Sequence, residues 1–404
     1  MASSQVSKQE PQARDASASA RLILFLTVFV DLLGFGIVIP LLPMFATRLG
    51  ISFVGIGAIM AVYSLAQFIF APILGRISDR IGRRPVIMIG LFGSSLGYLI
   101  YGLAGSFVGL FLSRAVHGLC AATVSTAQAY IADTTDESNR ARGMGMIGAA
   151  FGLGFVIGPA IGGLLGRNDL RIPGFFAAAL TFANLIFAAV RLPESHQPEP
   201  DARIDASVIV APIRDLPGQL FGHHLGRLFS ISFLTTFALA AFETTFAIMI
   251  PAVYGYGAAG IGTLLAYTGL MQALAQGYLL GKAVKRLGEV KVLSMGIILL
   301  AVGLAPLANL PTPSTLLLAL AMLSLGYGFA SPTIASIISK MTERTLEGEV
   351  LGINQSASSM ARILGPLAGG LAYGALGSSA PYLGGAVVAL MAFLLTRGLA
   401  GPNR

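Results

Sequence analysis

The sequence predicts an all-α membrane protein of twelve transmembrane helices, arranged as two pseudo-symmetric six-helix halves. Three observations carry this. The 404 residues are 55% hydrophobic but only 11% charged, with a mean hydropathy of +0.79, whereas a soluble domain is about a quarter charged. The few charges divide the chain into apolar runs of one or two membrane spans each. Two motifs recur at nearly the same offset. GRISDRIGRRPVI at Gly75 to Ile87 is echoed by GKAVKRLGEVKVL at Gly281 to Leu293, 206 residues on, and GPAIGG at Gly158 to Gly163 returns as GPLAGG at Gly365 to Gly370, 207 residues on.

Residues 1–20 are polar and read as a disordered tail. Runs 22–47, 49–75, 143–166 and 172–190 each fit one span. Run 85–132 fits two, with a turn near Gly105-Ser106. Run 228–281 breaks at YGYGAAG (Tyr254 to Gly260), run 292–339 at Asn309 to Pro313, and run 350–396 near Gly377 to Pro381. The first run is too long for a signal-peptide core and reads as a retained helix. The polar, proline-rich stretch 193–225 links an N-terminal half, 21–192, to a C-terminal half, 226–404. With both termini on the cytoplasmic side of the inner membrane, 21 Lys and Arg fall on that side and 3 on the other, a strong positive-inside bias. The net charge of +8 is thereby a topology signal, not a nucleic-acid footprint. One cysteine, Cys120, excludes an internal disulfide and a cysteine metal site. His223-His224 is too bare a pair to bind metal. No GxxxxGK[ST] loop, HExxH motif or nucleophile arrangement is present. The chain is therefore read as no enzyme, with no cofactor, and as a monomer in the bilayer. Energy must come from an ion or substrate gradient.

Asp31 is the sharpest feature. It is the only charge in Leu22 to Thr47. A rise of 1.5 Å per residue sets it roughly 14 Å deep, near the midplane of a core about 30 Å thick. A charge there costs about 3 kcal/mol or more, so a pathway role is expected: a carboxyl group that exchanges its proton can carry it across. Arg114 lies at a similar depth, His117 one helical turn beyond it. Glu243 and Arg362 are the corresponding lone charges of the second half. Gln272 and Gln276 form an i, i+4 polar stripe facing the same cavity. Glu243 has no basic residue nearby in sequence, which favours lipophilic cations or zwitterions as substrates. Gly154, Gly158 and Gly162 repeat every four residues and admit a close helix, and Pro159 favours a kink.

These motifs resemble the major facilitator superfamily, and within it the twelve-helix drug/proton antiporters, across essentially the whole chain. The loop Gly75 to Arg84, G-x-x-x-D-R-x-G-R-R, is similar to the superfamily's signature between helices 2 and 3. GLGFVIGPAIGG is similar to the exporters' helix-5 antiporter motif. Asp31 with Gly34, Gly36, Pro40 and Pro43, and Arg114 with Gly118, match helix-1 and helix-4 motifs. IADTTDESNRARG resembles the tetracycline/proton antiporters.

The resemblance implies the major facilitator fold and proton-coupled export of small amphipathic compounds by alternating access. A facilitator or lipid or metabolite transporter of the same fold is the alternative; a receptor or scaffold would not need Asp31, Arg114 and the loop together. It further implies that Arg114 lines the cavity and acts on the helix-1 acid. Asp79, with Gly75, Arg80, Gly82, Arg83 and Arg84, would gate by latching onto the N-terminus of helix 11. Asp133 would complete a charge network with Arg83. The helix-5 segment, including Gly163, would seal the halves. The sequence departs from that group in helix 3, where Gly97 stands for an acid, in helix 9, which has none, and in helix 8, where Gln272 stands for a histidine.

Overall fold

The computed structural model describes residues 6–135, 137–196, 225–309, 312–342 and 347–399, with side chains from residue 20 onward except 137–142 and 347–349. Counting interrupted helices as one, twelve membrane helices follow in chain order. They are α1 Ala20–Arg48, α2 Phe53–Ile81, α3 Arg83–Leu103, α4 Phe107–Thr134, α5 Glu137–Leu165 and α6 Ile172–Arg191, then α7 Gly226–Tyr254, α8 Ala258–Leu287, α9 Glu289–Asn309, α10 Pro313–Met341, α11 Glu347–Leu376 and α12 Ala380–Thr396. No strand occurs among the described residues.

Ten helices are long and apolar enough to cross a membrane, and α12 is a shorter apolar one. α11 is long but diluted by Asn354, Gln355, Ser356, Ser358, Ser359 and Arg362, the composition of a helix that faces a polar interior. The four breaks expected at Gly105-Ser106, YGYGAAG, Asn309 to Pro313 and Gly377 to Pro381 all separate helices. Local chemistry explains the entries: Ser52, Ser106 and Thr312 each accept a backbone N–H three residues on, satisfying a donor that the helix leaves open. One difference lies at the start. The first helix runs back to Val6, through the polar stretch expected as a disordered tail. The expected linker falls mostly on 197–224, outside the described residues.

The halves repeat one packing pattern. α1 packs on α5 and α6, and α3 on α6; likewise α7 packs on α11 and α12, and α9 on α12. Between halves, α2 packs on α11 and α5 on α8, pairs that the repeat exchanges. Glycines set these close approaches. A Cβ at Gly57 would lie 2.5 Å from the Pro366 carbonyl, and one at Gly163 would lie 2.7 Å from that of Ala258. Both contacts lie toward the face opposite the termini, where the end of α1, Leu42–Arg48, also packs on α7. Toward the terminal face, Cβ atoms at Gly75, Gly145, Gly148, Gly277, Gly281 and Gly352 would meet nothing within 4 Å among the described residues. Among the described residues the close glycine approaches between the halves lie toward the far face.

The repeat extends to single side chains. Gly82 and Gly288 adopt φ of +102° and +80° with ψ of 159°, the conformation that turns α2 into α3 and α8 into α9 and that L side chains avoid. The next residue is buried and charged in both cases. Arg83 Nε donates to Asp133 at 2.9 Å; Lys340 Nζ donates to Glu289 at 2.9 Å. Glu289 stands 206 residues after Arg83 and Lys340 stands 207 after Asp133, with the signs reversed.

Candidate functional site

The interior opens around a break in α4. That helix stops at Leu119, turns through Cys120–Ala122, and restarts at Thr123. The Ala121 carbonyl released by the break accepts a hydrogen bond from Gln67 Nε2 at 3.4 Å. Asp31 on α1 sits against the restart, 8% exposed, with the hydroxyls of Ser94 on α3 and Thr123 on α4 beside its carboxyl group. The restarted helix presents its positive end there. Asp31 Oδ1, Thr123 Oγ1 and Thr126 Oγ1 have no hydrogen-bond partner among the described residues. Other helical threonines, such as Thr27, Thr134 and Thr244, bond the carbonyl four residues back.

Arg114 is 2% exposed and held by aromatic rings. Its guanidinium carbon lies 4.2 Å from the Tyr63 ring centroid and 5.5 Å from that of Phe35. Nη1 donates to His117 Nδ1 at 3.1 Å. A guanidinium can only donate, so Nδ1 accepts and the ring hydrogen belongs on Nε2. His117 is edge-on to Tyr63, Tyr98 and Phe35 at 5.1, 4.8 and 5.9 Å. Asp31 and Arg114 form no ion pair among the described residues; Tyr63 and Tyr98 lie within the fields of both. Gly97 has a steric cause: a Cβ there would lie 2.9 Å from His117 Cβ and 3.0 Å from the Ser113 carbonyl, leaving no room for an acid.

The second half presents its charges differently. Glu243 is exposed although Phe242, Thr244 and Thr245 beside it are buried. α7 is the most enclosed helix of the ten, so the space Glu243 faces is internal. Arg362 is half-buried, bonds Ser359 at 3.4 Å, and acts electrostatically on both Glu243 and Tyr63. Gln272 is half-buried and Gln276 exposed. A π-helical turn, Ala275–Leu279, begins between them; such turns are frequent at functional sites.

At the terminal face, Arg83 Nη1 binds Asp79 and the Ser78 hydroxyl (2.7 Å), and Nε binds Asp133. Gly75 and Arg80 lie on the last turns of α2, and Arg84 donates to the Ala189 carbonyl. Residues 343–349 at the N-terminus of α11, where the latch is expected, lie outside the described side chains. Of the helix-5 glycines, Gly154, Gly158 and Gly162 pack on α1 at Leu32, Gly36 and Ile37, inside the first half; Gly163 and Pro159 face α8 at Ala258 and Gly262. Among the described residues no cluster of acids, histidines or cysteines could hold a metal ion; His223-His224 lies outside them.

Sequence reasoning missed the aromatic set of Phe35, Tyr63, Tyr98 and Phe155. Only Phe35, one turn after Asp31, carried a signal. It also missed Glu194, whose carboxylate accepts the backbone N–H groups of Arg83 (2.8 Å) and Arg84 (3.2 Å) at the start of α3.

The sequence matches the Major Facilitator Superfamily over residues 24–257 and again over 228–403. It is 32% identical to the Tetracycline resistance protein, class C, of Escherichia coli over 363 residues, covering 87% of this chain and 89% of that one. It is 31% identical to Multidrug resistance protein 2 of Bacillus subtilis (strain 168), covering 87% and 88%. Among solved structures, the human organic anion transporter MFSD10 (TETRAN) superposes with a TM-score of 0.70 at 26% identity, covering 94% of this chain and 99% of that one. The peptide transporter POT in complex with sulfate shares the fold, with a TM-score of 0.79 at 15% identity over 96% and 97%. With the family matched in both halves and curated relatives aligned nearly end to end, this chain belongs to the Major Facilitator Superfamily, whose members are transporters and not enzymes, and is similar to its tetracycline and multidrug exporters.

Proposed function

We propose that the protein exports small amphipathic organic compounds in exchange for protons, by alternating access of residues 21–192 and 226–404. The observation that carries this is Asp31. It is a carboxyl group near the membrane midplane, buried against two hydroxyls and a helix N-terminus, with Oδ1 unpartnered. A group so placed exchanges a proton when the half around it is wetted, and polar groups at that depth are costly without a role. The charge bias of the loops supports an inner-membrane orientation with both termini cytoplasmic. The terminal face is then the cytoplasmic one, and close approaches between the halves toward the opposite face support an inward-open conformation. The chain acts as a monomer. Asp79, with Arg83 and Asp133, gates the cytoplasmic side.

The test is transport by the purified protein in liposomes under an imposed pH gradient, with a panel of amphipathic dyes. Wild type should drive uptake or efflux according to the sign of the gradient. Asp31→Asn should fold, exchange dye down its own gradient and ignore the pH gradient. Undiminished pH-driven transport by Asp31→Asn would falsify the proton-carrier role.

A further inference from the structure

A neutral imidazole holds the buried guanidinium of the first half. Arg114 Nη1 donates to His117 Nδ1 at 3.1 Å. Nδ1 can accept only while the ring is neutral, since an imidazolium donates from both nitrogens. The buried Nε of Arg114 has no partner among the described residues. The face of Tyr63, 4.2 Å from the guanidinium carbon, completes the seat.

Four helices build this seat. On α3, a Cβ at Gly97 would lie 2.9 Å from that of His117, so the glycine makes room for the imidazole. Tyr98 beside it meets the edge of the imidazole at 4.8 Å, and Tyr63 of α2 does so at 5.1 Å. Phe35 of α1 lies 5.9 Å from the imidazole and 5.5 Å from the guanidinium carbon. Gly34 admits Tyr98 against α1, since a Cβ there would lie 3.1 Å from the tyrosine Cε2. Phe35 and Tyr98 therefore touch both the seat and the turn of α1 that follows Asp31. Yet Asp31 and Arg114 form no ion pair among the described residues, and Asp31 Oδ1 is unpartnered. The groups around His117 are thus Arg114 on its own helix, Tyr63 on α2, Tyr98 on α3, and α1 with Phe35 and the acid Asp31. From α5 comes only Phe155, 5.8 Å from Phe35, and from the second half Arg362 acts on Tyr63.

We propose that His117 is a positioning residue: a neutral acceptor that seats Arg114 on Tyr63 and keeps it off Asp31. The acid then takes and releases its proton with no salt bridge to break. The imidazole itself carries no proton through the cycle. An ion pair with Arg114 would favour the charged carboxylate and move proton exchange to more acidic pH. The proposal rests on the reading of Asp31 as the proton-exchanging group.

The test reads Asp31 directly. Dicyclohexylcarbodiimide modifies protonated carboxyl groups in apolar surroundings. Labelling of the Asp31 peptide in the purified full chain in detergent, followed against pH by mass spectrometry, gives a midpoint for that acid. His117→Leu should lower the midpoint by about one pH unit, the low end of what a nearby opposite charge does. His117→Met, a more adaptable filler of the same space, should do the same. His117→Gln, whose side-chain carbonyl still accepts, should keep the wild-type midpoint. Adding Arg114→Gln to His117→Leu should abolish the drop. The proposal is overturned if the Leu and Met variants leave the midpoint in place, or if His117→Gln lowers it as they do. It is equally overturned if the drop survives the loss of Arg114, or if wild-type Asp31 shows no pH-dependent label. Undiminished pH-driven transport by Asp31→Asn, with the His117 shifts intact, would count against the antiport reading alone.

Discussion

Asp133→Ala removes one carboxylate from a buried guanidinium. Arg83 is 7% exposed and holds three partners: Asp133 through Nε at 2.9 Å, and Asp79 and Ser78 through Nη1. Unit charges about 4 Å apart attract by roughly 4 kcal/mol at an effective dielectric near 20. Losing one partner of a buried pair costs about 3–5 kcal/mol, since the survivor keeps its desolvation penalty. Here the loss is smaller. The Asp133 side chain is 22% exposed, so water screens part of the pair, and Asp79 remains bound to Arg83. The expected cost is about 2–3 kcal/mol. For a chain of this size each kcal/mol shifts the thermal midpoint by roughly 2 °C, which predicts a drop of about 4–6 °C.

The repeat supplies the control. Glu289 and Lys340 occupy the same two positions with opposite signs, so Arg83→Glu with Asp133→Lys should recover most of the loss. Recovery should stop short of wild type, because Asp79 would then face a like charge one turn away. The assay is the fraction of detergent-solubilised protein that survives a heating series, compared as relative midpoints because membrane-protein unfolding is commonly irreversible. A swapped variant no more stable than Asp133→Ala would refute the reasoning that the site needs a pair of opposite charges and not an arginine.

Four further outcomes are expected. Gly97→Asp should fail to accumulate as folded protein, since its Cβ meets His117 and Ser113 at 2.9 and 3.0 Å, and expression with monodispersity on a sizing column reads this. Gly163→Val should cost about 1–3 kcal/mol by overpacking against Ala258 and Gly262, and should raise labelling of a cysteine placed at Arg48 as the far-face junction loosens. Asp79→Ala should slow turnover and raise accessibility of cysteines in the terminal-face vestibule; unchanged values of both would count against a gate. Tyr63→Leu should remove a desolvated cation–π contact worth about 2 kcal/mol and flatten the pH profile of transport, which Tyr63→Phe should leave in place.

The helices and their ends were legible because the bilayer makes backbone hydrogen bonding and apolarity a local rule. A run broken by Gly-Ser, by YGYGAAG or by Asn-Leu-Pro-Thr-Pro can hardly end elsewhere. The break in α4 was not legible: Cys120-Ala121-Ala122 has no proline, and what stops the helix is tertiary, with Gln67 from α2 capturing the released carbonyl. The π-turn of α8 is likewise silent in sequence. Lone charges in apolar runs flagged Asp31, Arg114, Glu243 and Arg362, since polarity at depth is rare. Which of them a solute can reach was not legible, because access depends on aromatic rings from three other helices, and aromatics in an apolar run carry no mark of their own. Glu194 escaped for a related reason: a carboxylate in a polar stretch looks solvated until the α3 N-terminus is placed beside it.

The sign reversal between the halves bears on what the signature loop does. Coulomb attraction is unchanged when both members of a pair exchange sign, so a structural pair can drift between Arg–Asp and Glu–Lys over the life of a repeat. The backbone at Gly82 and Gly288 cannot drift, because no side chain tolerates that φ, and a methyl at Gly82 would lie 2.7 Å from the Glu194 carboxyl carbon. Orientation in the membrane responds to Lys and Arg near the span ends, with acids counting little, and this bias has not reversed: Arg76, Arg80 and Arg84 flank the first copy, and Lys282, Lys285, Arg286 and Lys291 the second. The buried residue after each glycine is thereby separated from the topology signal that surrounds it. Were Arg83 present only to orient the chain, Glu289 in the same place would not serve that purpose. Its presence there, with a lysine where Asp133 stands, identifies the position as one half of a clamp joining the helix that starts at the loop to the helix that leads from the cavity, α3 to α4 in the first half and α9 to α10 in the second.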